Sequence, residues 1–423
     1  MSPWQPSLAY NALLCRYNEI GTKGRNRVRF EEQLADGLQR SLAPIGPLRV
    51  IFEHGRIILL PKEGHEPLDA AGLALLRQRV PGIAGVSSIS PGFLVKPTLA
   101  AIEEVIENSF PAVCEAFLAQ DPPPVPSYAM RARRSDKRFP MDCQQVETHF
   151  ARTLLPRYPQ LHLDLKNANF VVEVEIRKLR AFVSYERIDG PGGLPAGSSG
   201  RVLALLSGGI DSPVACFQMM RRGCMVDYIT FHSEPYTPPA YITKLCGIAR
   251  KLNDYQRRGR LVTVNLLPAQ LAIRDHCRSR HRTVLYRRFM LRIASIVARA
   301  FNAEALVTGD NIGQVASQTL SNMAVINAAT DMMVLRPLLT FEKLETTDIA
   351  QRIGTFALSI EDVPDSCTVF APDDPATATE LDRIREDEQN IDIDALLAEC
   401  LQQTFIVNPR SFSQHPFNES ENN

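Results

Sequence analysis

The segment Leu203 to Pro213 restricts this chain more than any other. Leu203-Ala204-Leu205-Leu206 reads as a buried strand, Ser207-Gly208-Gly209-Ile210-Asp211-Ser212 follows, and Pro213 sits where a helix would begin. Proline fits a first helical turn because its missing N–H would be unpaired there anyway. Gly208 and Gly209 let backbone amides approach an anion with no side chain between them. The hydroxyls of Ser207 and Ser212 add donors, and the helix N-terminus favours negative charge. Together these make a phosphate cradle at the carboxyl end of a strand, where open α/β sheets bind ligands. The competing reading is a plain strand–turn–helix corner. No lysine follows the glycines, so this is not the kinase-type loop. Asp211 is the odd member of an anion cradle. Its carboxylate suits holding Mg²⁺ or orienting the attack, with helix capping as the alternative.

Beyond this loop, strands and helices alternate. Strands are expected at 201–206, 226–231, 261–267 and 305–308, and helices at 213–220, 242–252 and 284–300. Continuous apolar strands alternating with helices require a parallel sheet covered on both faces, so the C-terminal half is α/β and doubly wound. Two small α+β units precede it. In the first, an apolar opening at 8–17 leads to Phe30, Leu34 and Leu38 at helical spacing, then two β-rich runs flank the turn His54-Gly55. In the second, Ile102, Val105, Ile106 and Phe110 mark a helix ended by Pro111, and the proline-rich 121–126 is an extended connector. Strands at 128–131, 170–176 and 181–185 and a helix at 145–155 complete it. Gly190-Pro191-Gly192-Gly193-Leu194-Pro195-Ala196-Gly197-Ser198-Ser199-Gly200 is the clearest boundary, its glycines supplying turns and freedom. The expected division is 1–64, 65–187, a linker at 188–200, 201–410 and a disordered tail at 411–423.

A length of 423 residues suits two or three domains, and 45% hydrophobic with 22% charged residues is the composition of an ordinary soluble protein. No apolar stretch approaches the ~20 residues of a membrane span, and the first residues lack a secretory pattern. Nine irregularly spaced cysteines read as reduced thiols in a cytoplasmic protein. Lys+Arg and Asp+Glu both total 47, so any nucleic-acid partner must be read from local charge. Arg131, Arg133, Arg134, Lys137 and Arg138 are opposed only by Asp136, and Lys23, Arg25, Arg27 and Arg29 form a second cluster. Ordinary solvated faces are the alternative. His276, Cys277 and His281 fit no four-ligand metal pattern, and the arginines among them would repel a cation.

The hexapeptide Ser-Gly-Gly-Ile-Asp-Ser resembles the signature of PP-loop ATP pyrophosphatases, which split ATP between its α- and β-phosphates and activate a carbonyl oxygen as an adenylate. Further motifs narrow the resemblance. Arg16-Tyr17-Asn18-Glu19-Ile20, Lys23-Gly24-Arg25-Asn26-Arg27, Gly190 to Pro195, Thr308 to Leu320 and Arg336-Pro337-Leu338 are similar, in order, to tRNA 4-thiouridine synthetases. Asn18 departs from that pattern, which has glycine there. The resemblance implies a ferredoxin-like domain, a THUMP domain and a PP-loop domain. It implies ATP and Mg²⁺ as cofactors and thiolation of the uridine at position eight of tRNA, with a second role in supplying sulfur to the thiazole of thiamine.

Carried over by position, Leu205, Leu206, Thr230, Phe231, Arg287, Gly309 and Gln318 would contact nucleotide. Lys343 would lie near the active site, and Cys367 would carry or resolve sulfur. Core packing, a solvated helix face, a surface salt bridge and a buried thiol are the respective alternatives. No rhodanese domain is expected after Cys367, and Cys400 reads as core. The partners implied are tRNA, a cysteine desulfurase as sulfur donor, a thiamine sulfur-carrier protein and a second copy of the chain, with no membrane. Two rivals stay open: ATP-dependent amidation of a small-molecule carbonyl, and a non-catalytic THUMP-type tRNA-binding protein.

Overall fold

The computed structural model describes residues 8–63, 68–120, 124–364 and 370–418. The chain forms two compact units, Met1–Gly193 and Leu194–Asn423.

In the first unit, β1 (Ala12–Arg16) leads into α1 (Arg27–Ser41), then β2 (Leu48–Glu53), β3 (Arg56–Pro61), α2 (Ala70–Arg79) and β4 (Ser88–Val95). After α3 (Leu99–Leu118) come β5 (Ser127–Arg134), α4 (Cys143–Leu154), β6 (His162–Leu163), β7 (Phe170–Ile176), β8 (Ala181–Ser184) and β9 (Ile188–Asp189). The strands make one nine-stranded sheet in the order β2-β3-β1-β4-β8-β7-β5-β6, with β9 also on β4. β4, beyond the expected break at 64/65, belongs to the same sheet as β1 to β3. β4 pairs antiparallel with β1 on one side and β8 on the other. Leu73 and Leu76 of α2 bury against Leu13, Leu34 and Ile57. β4 was hidden in the sequence because Ser88, Ser90, Pro91 and Gly92 are poor strand formers. Gly92 is required there: a Cβ would lie 2.3 Å from the Val183 carbonyl oxygen.

Helix α3 runs through Pro111 rather than ending at it. The proline removes one helical hydrogen bond. The apolar stripe nevertheless continues in Val113, Cys114 and Phe117, and the rings of Phe110 and Phe117 each sit 5.2 Å from Phe170. Of the proline-rich connector, 121–123 lies outside the described residues. The glycine boundary is also tighter than expected. Gly190 and Gly192 donate backbone N–H groups to Ser87 and Val86, and a Cβ on Gly190 would lie 2.4 Å from the Val86 carbonyl oxygen. Close approach, not freedom, selects glycine at 190.

The second unit contains β10 (Arg201–Leu205), α5 (Asp211–Arg221), β11 (Met225–His232), α6 (Pro239–Leu252), β12 (Leu261–Asn265), α7 (Leu267–His276), α8 (Arg282–Ala300) and β13 (Ala305–Val307). It continues through α9 (Leu320–Asn327), β14 (Met333–Leu335), α10 (Lys343–Arg352), α11 (Phe356–Ser359), α12 (Leu381–Glu388), α13 (Ile393–Gln402), β15 (Thr404–Val407) and β16 (Gln414–Pro416). The sheet order is β14-β13-β10-β11-β12-β15-β16. The first five strands are parallel, and β15 and β16 add antiparallel at one edge.

Side chains alternate along β10, so Leu203 faces one core with Phe289, Ile293 and Val297 of α8, while Val202 and Ala204 face another with Val214, Phe217 and Leu245. Helices cover both faces, as parallel strands demand. Residues 411–418 differ from the expected tail: β16 pairs with β15, and Phe417 is buried with its ring 6.0 Å from Phe301. The edge of β15 supplies backbone partners that a polar sequence can use without a hydrophobic run.

Candidate active site

β10 delivers the loop 207–212 to the carboxyl edge of the sheet, and α5 starts at Asp211. No side chain caps the first turn of α5, so its amides are open to a ligand. The loop holds its own shape. Ser207 donates its backbone N–H to the Ser212 hydroxyl oxygen at 2.8 Å, and that hydroxyl reaches the Ser207 carbonyl oxygen at 3.2 Å. The Ser212 hydroxyl thus closes the turn, a structural task its motif position did not reveal. Gly208 packs on α6, where a Cβ would lie 3.3 Å from the Lys244 ammonium and 3.4 Å from the Tyr241 ring. A Cβ on Gly209 would meet nothing closer than the Ser207 hydroxyl at 3.7 Å. Its bareness leaves space above the loop to a ligand.

An open cavity of ≈ 880 Å³ lies over this loop. Leu205, Leu206 and Phe231 supply an apolar wall, and Ser207, Gly209, Asp211 and Ser212 supply the polar floor. Arg287, Gly309 and Gln318 also border it. Gly309 touches the start of α5 so closely that a Cβ would lie 2.8 Å from the Ser212 nitrogen. Thr230 is the exception. Its side chain is fully buried within β11 and does not border the cavity.

Asp211 does not cap its helix. Its carboxylate accepts from the Lys343 ammonium at 2.8 and 3.0 Å and from the Gln314 amide at 3.0 Å. Lys343, the first residue of α10, is therefore joined to the loop although it lies 132 positions after Asp211. The carboxylate oxygens are hard donors with lone pairs remaining, a set that fits Mg²⁺. Cys367 lies outside the described residues.

Asp310 is a site residue that sequence reasoning missed. Nearly fully buried, it accepts from Arg287 at 2.7 Å, Arg336 at 3.2 Å and the Thr308 hydroxyl at 2.7 Å. Burial pushes its carboxyl upward, but Arg287, the Thr308 hydroxyl and Arg336 outweigh that and hold it below the ordinary carboxylate value. Asp310 fixes two guanidinium groups at the cavity wall, where they can meet phosphate. Its signal was an acid directly after the apolar strand and Gly309. Arg288 faces away from the cavity and pairs with Glu388 through two bonds of 2.8 and 2.9 Å. It is a buried structural cation.

The basic clusters of the first unit are partly committed. Arg134 donates to the carbonyls of Phe139 and Met141, Arg131 to that of Leu165, and Arg138 chelates Asp136. That pairing pulls the Asp136 carboxyl down to about 2. Arg133, Lys137 and Arg25 are exposed, while half-buried Lys23 stands 5.3 Å over the Phe30 ring. The clusters flank β1 and β5, four strand spacings apart, or roughly 19 Å.

Known proteins sharpen this picture. Residues 12–90 match the ThiI ferredoxin-like domain, 100–186 the THUMP domain, and 197–393 the family described as thiamine biosynthesis protein (ThiI). The probable tRNA sulfurtransferase of Alkaliphilus oremlandii is 36% identical over 93% of this chain and 97% of its own length. That of Moorella thermoacetica is 38% identical over 94% and 97%. A crystal structure of a 4-thiouridine synthetase–RNA complex with bound ATP superposes with a TM-score of 0.80 at 33% identity, covering 94% of this chain and 99% of that one. PH1313 from Pyrococcus horikoshii shares the fold, with a TM-score of 0.61 at 22% identity. With its ferredoxin-like, THUMP and PP-loop regions in the same order over nearly its whole length, the chain belongs to the ThiI family of tRNA sulfurtransferases.

Proposed function

We propose that this protein is an ATP-dependent tRNA sulfurtransferase that makes 4-thiouridine at position eight of tRNA. The observation that carries the reading is the joining of Asp211 to Lys343 beside an uncapped helix start at the mouth of an apolar cavity. The adenine would enter the recess of Leu205, Leu206 and Phe231. The buried Gln318 side-chain oxygen, with no hydrogen-bond partner among the described residues, offers an acceptor to its amino group. The amides of 208–212 would cradle the phosphates, with Arg287 and Arg336 held ready by Asp310. Bound Mg²⁺ would supply neutralising charge on the phosphate oxygens.

The uridine O4 would attack the α-phosphorus, and pyrophosphate would leave. Lys343 can stabilise charge developing on the phosphate oxygens while Asp211 holds its ammonium in place. Adenylation converts a poor leaving oxygen into AMP, so the outer sulfur of a Cys367 persulfide, charged by a cysteine desulfurase, can displace AMP at C4; a second thiol then cleaves the S–S bond to free the thiouridine and takes Cys367 into a disulfide, which a thiol reductant reopens. Arg133, Lys137, Lys23 and Arg25 of the first unit would grip RNA phosphates. A sulfur supply to the thiazole of thiamine is a second outlet of the same carrier.

The test is a thiolation assay with tRNA, ATP, Mg²⁺, cysteine, a cysteine desulfurase and a thiol reductant. Thiouridine should appear in tRNA carrying uridine at position eight and be absent when that base is cytidine. Incorporation independent of ATP, or none with every component present, would overturn the reading.

A further inference from the structure

A second basic surface lies in the Leu194–Asn423 unit, at the opposite end of the sheet from the ATP cavity. Arg250, Lys251, Arg257, Arg258 and Arg260 face a single acid, Asp254, within residues 250–260, although the whole chain is neutral. Arg410 and His415 join them from the β15–β16 hairpin, and together these elements border a groove of ≈ 660 Å³ floored by Ile406, Val407 and Pro409. Its cations divide into two kinds. Arg260 is structural: it donates to the buried Asp227 at 2.8 Å and lies 3.4 Å over the Phe301 ring. Arg250, Arg258 and Arg410 are exposed, and their guanidinium groups have no ion pair among the described residues.

We propose that this groove binds the sugar–phosphate backbone of the tRNA substrate, a proposal that rests on the functional reading above. Three unpaired guanidinium groups around an apolar floor match a polyanion with flat bases better than a neutral or cationic partner. A symmetric contact with a second copy would set arginines against arginines, which disfavours self-association through this face. The distance is compatible with one RNA serving both places. Five-residue strands separate the two ends of the sheet by about 17 Å, the length of roughly five stacked nucleotides at about 3.4 Å each. The hairpin thus acquires a purpose: it carries Arg410 and His415 to the rim.

The test uses the full chain with Arg250, Arg258 and Arg410 all changed to Ala, and a second variant with all three changed to Lys. Each position is exposed, so melting curves should match the unaltered protein. Transfer-RNA affinity is measured across a salt series. The alanine variant should bind at least about tenfold more weakly at low salt, with its log–log salt slope shallower by roughly 2–3. Its KM for tRNA should rise while turnover at saturating tRNA holds. The lysine variant should recover most of the slope. An unchanged slope with normal thiolation overturns the groove alone, as does a lysine variant that behaves like alanine or a groove that captures only an acidic protein. Failure of the unaltered protein to bind tRNA overturns the functional reading and the groove with it.

Discussion

Replacing Asp310 by Asn tests how the cavity wall is held. The substitution keeps the side chain's size but removes the charge shared by Arg287 and Arg336, and it turns an amide N–H₂ toward groups that only donate. Breaking a buried ion pair costs about 3–5 kcal/mol. Arg287 and Arg336 keep 28% and 15% of their side-chain surface, so water softens the loss. A cost of about 2–3 kcal/mol is the reasonable figure. For a unit of this size, each kcal/mol moves Tm by about 2–4 °C, so the transition of the Leu194–Asn423 unit should fall by roughly 5–10 °C. Differential scanning calorimetry reads that shift. Saturating ATP should recover more of the Tm in the variant than in the unaltered protein, because phosphate replaces the missing negative charge. A shift under 2 °C, or equal stabilisation by ATP in both proteins, would refute the idea that Asp310 pre-positions the arginines.

Four further outcomes follow. Gly309→Ala forces a Cβ against the Ser212 nitrogen, and an overpacking cost of about 1–3 kcal/mol predicts a roughly 5- to 150-fold loss of ATP affinity by calorimetric titration. Lys343→Met should leave Tm nearly unchanged, since its side chain is 52% exposed, yet reduce pyrophosphate release by orders of magnitude in a coupled assay. Cys367→Ser should retain tRNA-dependent pyrophosphate release while thiouridine formation stops. In acid, Asp310 and Glu388 both have folded values below their unfolded ones, because their arginine partners outweigh burial. Their stabilisation is complete above about pH 4 and lost as pH falls through the lower folded values. Asp310→Asn combined with Glu388→Gln should therefore flatten the acid limb of a Tm-against-pH curve.

The strand–turn–helix at 201–221 and the parallel strands around it were legible because local chemistry dictates them: apolar runs, paired glycines and a helix-starting proline act over a dozen residues. Pairings between distant segments were not. β4 carries serine, proline and glycine because it is clasped between β1 and β8, where Gly92 must let the Val183 carbonyl through. Pro111 was read as a stop, but tertiary packing of Phe117 on Phe170 carried the helix past it. The hairpin at 404–416 is held by the edge of β12, and the Gln414-His415-Pro416 of its second strand does not advertise the pairing. The site divides in the same way. The loop residues could be named from their order, whereas Asp310 matters through Arg287 and Arg336, 23 and 26 positions away. Arg288, adjacent to Arg287, turned out to face Glu388 in the interior, a distinction only helix rotation decides.

The most direct test is the identity of the nucleotide product. With ATP labelled at the α-phosphate, an unmodified tRNA, a cysteine desulfurase, cysteine and a thiol reductant, the protein should release AMP and pyrophosphate only when tRNA is present, and Asp211→Ala should release neither. Appearance of ADP and inorganic phosphate, or pyrophosphate release indifferent to tRNA, would contradict transfer of an adenylyl group to an RNA base.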